Sequence, residues 1–291
     1  MTYLLKPSLP AMALGLMLSG VASAQDAGQA ADDLNVVRRV SEILGGEARG
    51  PGEEGRIAAI SDLIMDGQGV PRYILLSRGG VAGVGGEKIA VPYGVGQLVY
   101  IEDGGWRLIL EMTGEQLDQA PTLEEGSLDQ LRDSNWLSAN RQFFNADQVG
   151  NEAGTDDESF LFRASALKGA QVRGTGGEES IANVDDVLLG ADDRASYAIL
   201  GYGGVAGLGK DQVPVPFRML SLDAEMEDDR YVLVVAIDAT KERLQSELAP
   251  KLEGEYNRML DPTFLDRITE YFGGTEDGPG AIEAAPNSLN R

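Results

Sequence analysis

The side chains that could do chemistry in this sequence are almost all carboxylates, because the chain contains neither histidine nor cysteine. The usual general base, the usual zinc ligands and every Ser-His or Cys-His nucleophile pair are therefore missing. A serine without such a partner is a weak nucleophile. The sequence predicts no catalytic residue, no metal ligand and no cofactor, and hence a protein that is not an enzyme.

Carboxylates gather in four short clusters, which are Asp156-Asp157-Glu158, Asp185-Asp186, Asp192-Asp193 and the run from Glu225 to Asp229. None of them has the alternating acids, central glycine and distal glutamate of a calcium loop. We expect solvated turns. The alternative is a divalent-cation-binding or envelope stress-related binding protein that uses these acidic loops.

Two further carboxylates, Asp62 and Asp186, recur at equivalent places, each two residues after an aliphatic residue, Ile60 or Val184. A carboxylate held late in a buried strand is expected to accept hydrogen bonds from backbone N–H groups, which is a structural role. A catalytic carboxylate would need a second acid with a different pKa nearby. The adjacent Asp185 is expected on the opposite face of the strand, so a catalytic pair is not predicted.

A glycine-rich phrase also occurs twice, as GGVAGVGG at residues 79–86 and as GGVAGLG at residues 203–209. Gly201, Gly203 and Ala206 fit a relaxed dinucleotide-binding spacing, but that fingerprint needs a following helix whose N-terminus holds the pyrophosphate. A strand-like segment with two prolines follows instead. The glycines are therefore expected to provide positive φ angles at a tight turn, and a nucleotide site is the weaker alternative.

The phrase belongs to a longer repeat. A shift of 124 residues aligns Ser41–Tyr93 with Ser165–Phe217 without a gap, and 19 of the 53 positions are identical. Chance would give roughly four, if glycine at ~7% sets the scale of common residue usage. Farther on, Trp106 aligns with Arg230, and three residues are inserted later in the second copy. The chain is therefore a duplication.

Short apolar runs separated by turn residues predict strands in both copies. The predicted strands are Arg56–Met65, Arg72–Ser77, Lys88–Val91, Gln97–Ile101 and Trp106–Met112, and then Ser180–Leu189, Ser196–Leu200, Gln212–Val215, Met219–Leu222 and Arg230–Ile237. Without long intervening helices, this pattern predicts a mainly β fold of two tandem small antiparallel β-barrels, each followed by a short helical segment.

The helical segments are Leu128–Phe144 and Tyr256–Phe272, in which apolar residues repeat at helical spacing. Docking onto the preceding barrel is the expected role of these helices, and a partner or dimer contact is the alternative. The candidate interaction residues are Trp136, Phe143, Phe144, Phe264, Tyr271 and Phe272.

The order of these motifs resembles the PRC-barrel domain, which occurs in the photosynthetic reaction centre H subunit and in the ribosome maturation factor RimM. The residues that carry the resemblance and define the fold are Asp62, Gly79, Gly80, Gly83, Pro92, Asp186, Gly203, Gly204, Gly207 and Pro216. The resemblance covers two tandem copies. It implies a protein-interaction or assembly module, and it carries no catalytic residues across.

The predicted organisation follows from the repeat and from composition. It comprises a signal peptide (1–24), a flexible segment (25–37), a first module (38–121), a helical linker (122–160), a second module (161–250), a helical segment (251–273) and a disordered tail (274–291). The leader has a lone Lys6, an apolar run and an Ala22-Ser23-Ala24 cleavage motif before Gln25. It predicts an exported, periplasmic protein without a membrane span in the mature chain.

Charge restricts the partners. The chain has 47 acidic residues against 24 lysines and arginines, and a formal net charge of −23. Such a surface repels nucleic acid and favours basic partners. We therefore expect a non-enzymatic periplasmic interaction or assembly protein whose partner is a protein, either basic or part of a membrane complex.

Overall fold

The structure is a computed structural model that describes residues 37–51, 55–79, 86–101, 105–124, 127–146, 160–175, 179–203, 209–227 and 230–273. Several predictions lie outside these residues, namely the signal peptide, most of the 25–37 segment, the tail, the cluster Asp156-Asp157-Glu158, and Gly80, Gly83, Gly204 and Gly207. Residues 38–121 are called the first repeat below, and residues 161–250 the second repeat.

Strands dominate the described chain and form two sheets, which confirms the mainly β prediction. The first sheet contains β1 Glu47–Arg49, β2 Ala58–Asp66, β3 Pro71–Arg78, β4 Glu87–Pro92, β5 Gln97–Ile101, β6 Gly105–Ile109, β7 Thr122–Leu123 and β8 Leu161–Arg163. The second contains β9 Gln171–Arg173, β10 Ser180–Leu189, β11 Ala195–Tyr202, β12 Asp211–Pro216, β13 Leu220–Glu227 and β14 Arg230–Ile237.

Helices are short. They are α1 Val40–Ile43, α2 Gly114–Leu117, α3 Ser134–Phe144, α4 Ala164–Leu167, α5 Lys241–Leu244 and α6 Pro262–Phe272, with 3₁₀ turns at Asp129–Arg132, Phe217–Met219 and Tyr256–Leu260. The side chains of Asp133 and Asp261 cap α3 and α6 and split each predicted helical segment in two. Within the described ranges, none of the helices combines the length and the apolar character that a membrane span requires.

The sheets are not purely antiparallel. The first runs β5-β6-β1-β2-β3-β4-β7 and the second β12-β11-β10-β9-β14-β13. The short strands β1 and β9 pair in parallel with β6 and β14, respectively. No pairing between the edge strands closes either sheet among the described residues. The described pairs are otherwise antiparallel, and the two parallel pairs join a strand near the start of each repeat to one near its end.

The ladders repeat with the 124-residue offset of the sequence. Asp62 of β2 lies opposite Leu75, and Asp186 of β10 lies opposite Ile199. A register shift precedes each aspartate, between Ile60 and Asp62 in the first repeat and at the equivalent position in the second. Such a bulge leaves one extra residue on the bent strand, so the duplication has kept the irregularity as well as the strands.

The first residues of each repeat pair with a strand of the other repeat. Strand β8, which begins the second repeat, pairs with β2 of the first, with Arg163 opposite Ile64. Conversely, Arg39 bridges to Leu188 of β10, and the Leu189 N–H donates to the Arg38 carbonyl at 3.0 Å. Each repeat thus extends the sheet of the other.

Both repeats contribute to one hydrophobic core. Trp106, Leu108 and Leu63 of the first repeat belong to the same buried cluster as Val172 and Val235 of the second. Residues 34–291 accordingly form one compact unit. The two repeats therefore share one core and are not independent domains.

The inserted residues of the second repeat lengthen a hairpin. Leu98 pairs with Leu108, and the corresponding pair in the second repeat is Leu222 with Val235. The offset is 124 residues for the first member and 127 for the second, so the insertion falls between Glu225 and Val232, where β13 and β14 extend by two further pairs. The alignment of Trp106 with Arg230 was wrong by three residues, and the structural counterpart of Trp106 is Leu233.

Candidate functional site

An open groove of about 550 Å³ lies in the second repeat, between the end of α4, strand β9 and strand β14. Its lining consists of Ala166, Lys168, Gly169, Ala170, Gln171, Arg173, Val232, Leu233 and Val234. We call it the β14 groove. Neither the glycine phrase nor the acidic clusters predicted it.

The local sequence explains why β14 is uncovered there. Helix α4 ends at Leu167, and Gly169 adopts a φ of +89°, a left-handed conformation that glycine tolerates well, where the chain turns toward β9. Strand β9 is only three residues long and pairs with β14 at Val235 and Ala236. Residues 232–234 of β14 therefore have no ladder partner on the β9 side among the described residues.

In the first repeat, the same place is filled. Trp106, the counterpart of Leu233, is 1% exposed and packs edge-on against Tyr100, with ring centroids 5.6 Å apart. The corresponding pair across the β13–β14 hairpin is Ala224 and Leu233. The second repeat therefore has an alanine and a leucine where the first repeat packs two aromatic side chains.

The charges around the two places also differ. In the first repeat, Glu47 pairs with Arg49 at 2.7 Å and with Arg107 at 2.9 Å. The hydrogen bond from Arg49, aided by the charge of Arg107, lowers the pKa of Glu47 below its ordinary value. This face of the first repeat is therefore closed by an ionic network as well as by Trp106.

The equivalent network is missing from the β14 groove. Gln171 stands in place of Glu47, and Val234 in place of Arg107. Arg173 keeps a 3.4 Å contact with Glu225, but both side chains are largely exposed, so water screens the pair. Lys168, which replaces the half-buried Leu44, is exposed. The groove thus presents two cations beside an apolar floor.

The repeated aspartates hold the two repeats together. The Asp62 carboxylate accepts backbone N–H groups from Leu63 at 2.9 Å and from Ser165 at 3.0 Å, and also the Ser165 hydroxyl. Asp186 accepts the equivalent bonds from Val187 at 2.9 Å and from Ser41 at 3.0 Å. Each aspartate therefore binds the serine of the other repeat. The carboxylates are nearly fully buried, so these bonds matter for stability.

Asp186 has one partner more than Asp62 has within the described residues. Arg39 Nε donates to its carboxylate at 3.0 Å, and the guanidinium lies 3.9 Å from the centroid of the Tyr256 ring. Burial disfavours the charged form of Arg39, but the negative charge of Asp186 helps to outweigh this effect and raises the pKa of the guanidinium. Burial, with the charge of Asp186 as the next cause, raises the pKa of Tyr256.

Asp185 is placed differently from the sequence expectation. The bulge interrupts the alternation of faces between Asp185 and Asp186. Asp185 binds Lys210 and accepts a 3.0 Å bond from Gln212, which contacts the Tyr256 hydroxyl at 3.4 Å. Both aspartates thus reach one polar network, so strand alternation does not separate them. Each already has a basic partner there.

The described fold-defining glycines and prolines lie at strand ends. Gly79 and Gly203 follow β3 and β11 with φ angles of +74° and +69°, as expected for a turn. Pro92 and Pro216 end β4 and β12, opposite Tyr73 and Tyr197.

Residues 161–241 match the family model of the PRC-barrel domain. The match begins at β8 and ends at the first residue of α5, so the PRC-barrel match contains the whole β14 groove and Asp186. The first repeat lies outside it. A search of curated proteins finds no match.

The described acidic clusters, inside or outside the PRC-barrel match, do not meet at one point. Among the described residues, no group of three or more acids could hold a metal ion. Individual acids have basic neighbours instead. Asp193 pairs with Arg38, and Asp192 lies 3.8 Å from Arg194.

The candidate interaction aromatics lie on the two long helices. Phe144, Phe264 and Phe272 are buried in the shared core. Trp136 is half-buried, packs edge-on against Tyr73 and donates its indole N–H to the Thr122 carbonyl. Phe143 and Tyr271 are also half-buried. The six aromatics therefore contact the chain itself, and the half-buried ones keep some accessible surface.

Proposed function

We propose that this chain is a non-enzymatic protein-interaction or assembly protein of the bacterial periplasm, built from two PRC-barrel modules at residues 38–121 and 161–250. The observation that carries the proposal is the β14 groove, which borders Leu233 in the second repeat at the ladder position that the buried Trp106 takes in the first. Divergence of two repeats at such a surface site agrees with a duplicated scaffold in which one copy is structural and the other binds.

Several observations support a second PRC-barrel module in the first repeat. Nineteen identities, the shared bulge and the reciprocal Asp–Ser bonds all follow the 124-residue offset from the matched segment. Closure of each sheet into a barrel belongs to the same proposal.

A binding role agrees with the chemistry of the groove. Its described lining contains Lys168, Arg173 and Gln171 as functional side chains, with apolar residues for the remainder. It brings together no acid–base pair and no activated nucleophile. The periplasmic location is supported by the leader sequence, with its Ala22-Ser23-Ala24 motif.

Site-specific photo-crosslinking in the native bacterium tests the proposal. A photoreactive phenylalanine analogue replaces Val232, which is 39% exposed in the groove, or Leu248, which is 79% exposed and lies outside the groove lining. We expect a discrete adduct with an envelope protein from position 232 alone. The same adduct from both positions, or none from position 232, would contradict a groove-based interaction function.

A further inference from the structure

We infer that the β14 groove binds an extended peptide segment that carries carboxylates and adds to β14 as a short strand. This inference rests on the proposed function, and it names the chemistry of the partner. The groove can provide the three things that such a segment needs, namely a strand edge, an apolar floor and positive charge.

The strand edge comes from the unequal lengths of β9 and β14. β14 has eight residues and pairs with β13 along its whole length, whereas β9 has three and covers only Val235 and Ala236. Because the backbone groups of successive strand residues point to opposite sides, those N–H and C=O groups of residues 232–234 that do not point to β13 have no ladder partner on the β9 side in the described chain. An added strand would satisfy them, as in other cases of β-strand addition.

The position of the added strand is set by the turn at Gly169. A longer β9 would have continued alongside residues 232–234, but the chain leaves this line through Gly169 into α4. At ~3.3 Å per residue, pairing with these three residues needs about 10 Å of extended chain. The incoming peptide would lie in the groove between β14 and residues 168–171, which line its other side.

The apolar floor favours alternate side chains of the peptide. Val232 is exposed and Val234 is half-buried, and both lie on the same face of β14 because successive side chains of a strand alternate between faces. An incoming strand would direct every second side chain toward this floor and the others away from it. Alternation of apolar and polar residues is therefore the pattern that fits.

The positive charge of the groove determines which polar residues the alternating peptide should carry. Lys168 and Arg173 lie on the groove of a chain with 47 acidic and 24 basic side chains, so this is a locally basic site on an acidic protein. Arg173 has a single exposed 3.4 Å contact with Glu225, which a peptide carboxylate can replace. Ion pairs between an arginine and a carboxylate also fix the register of a bound segment.

Fluorescence anisotropy with the full chain provides the test. Three labelled eight-residue probes are compared: alternating Val and Glu, alternating Val and Lys, and the Val-Glu peptide with alternate backbone nitrogens methylated to remove strand hydrogen bonds. We expect saturable binding of the unmodified Val-Glu probe, with an affinity at least about tenfold higher than for either of the others, which corresponds to ~1.4 kcal/mol.

Two variants locate the binding. Leu233→Trp restores the residue of the first repeat and should weaken binding of the Val-Glu probe by at least about tenfold. Lys168→Glu should weaken it by removing positive charge without altering the core, and Lys241→Glu, an exposed lysine of α5, is the matched control. Hydrogen exchange of the unmodified protein should show slower exchange at residues 232–234 when the probe is added.

Three results would overturn the inference: no saturable binding of the Val-Glu probe, equal affinity for all three probes, or binding that both Leu233→Trp and Lys168→Glu leave unchanged. The proposed function is judged separately. A position-232 adduct in cells without probe binding would refute the acidic-strand chemistry and leave the interaction function standing. Probe binding without an adduct would refute the groove-based interaction function and leave the acidic-strand chemistry standing.

Discussion

The two repeats place Trp106 and Leu233 at the same ladder position, but Trp106 is buried in the core whereas Leu233 borders the open β14 groove. The surrounding residues differ in the same direction, since Glu47 and Arg107 complete an ionic network in the first repeat and Gln171 and Val234 leave it unmade in the second. By contrast, both repeats keep the buried aspartate that binds the serine of the other. The comparison indicates that the bonds between repeats constrain the fold, while the groove was free to diverge.

The largest expected effect comes from opening the closed site. Trp106→Ala removes a side chain that is 1% exposed and leaves a cavity, so it should lower the free energy of unfolding by about 3–5 kcal/mol. Leu233→Ala, at the half-buried counterpart, should cost less than about 2 kcal/mol. Urea unfolding followed by circular dichroism measures both. Equal costs would show that the two positions are packed alike.

The next effect distinguishes the two aspartates. Asp186→Ala leaves the partly buried Arg39 with Glu42 as its remaining ion-pair partner, and removing the buried member of an ion pair costs roughly 3 kcal/mol. Asp62→Ala removes the Ser165 and Leu63 bonds, and hydrogen bonds to a charged group predict a cost of about 2 kcal/mol. We expect Asp186→Ala to be the more destabilising in thermal unfolding. The opposite order would mean that Arg39 contributes nothing to this site.

The smallest effect concerns pH. Because the folded-state pKa of Glu47 lies below its ordinary value of 4.5, its ion pairs stabilise the fold above about pH 4.5, and the contribution is lost as pH falls through the folded pKa. Glu47→Gln, which makes the first repeat resemble the second at Gln171, should lower the melting temperature slightly at pH 7, and its effect should shrink as the pH falls below 4.5.

The control for this experiment is Glu87→Gln, which changes an exposed glutamate at the start of β4. It should leave the difference between pH 7 and pH 3 unchanged. If Glu47→Gln is as stable as the unmodified protein at pH 7, the ionic network does not contribute to closing the first repeat.

Local pattern was enough to predict the strands that carry a period of two and the turn glycines Gly79 and Gly203. It missed β1, β8 and β9, which have three residues each. Segments this short have too few residues to show a period, and they become strands because a longer neighbour offers hydrogen bonds. The β14 groove was missed for a related reason, since the insertion was assigned after β14 and Trp106 was compared with Arg230 and not with Leu233.

The sequence by itself determined the duplication, the mainly β fold and the absence of histidine and cysteine chemistry, because identity at a fixed offset and residue types need no coordinates. Only the tertiary structure decided that Asp62 binds Ser165 and Asp186 binds Ser41, residues more than 100 positions apart. The tertiary structure also decided that Leu233, at the ladder position of the buried Trp106, borders the open β14 groove. These facts depend on which strands lie side by side, and hydrogen-bond pairing between distant segments is fixed by packing, not by local sequence.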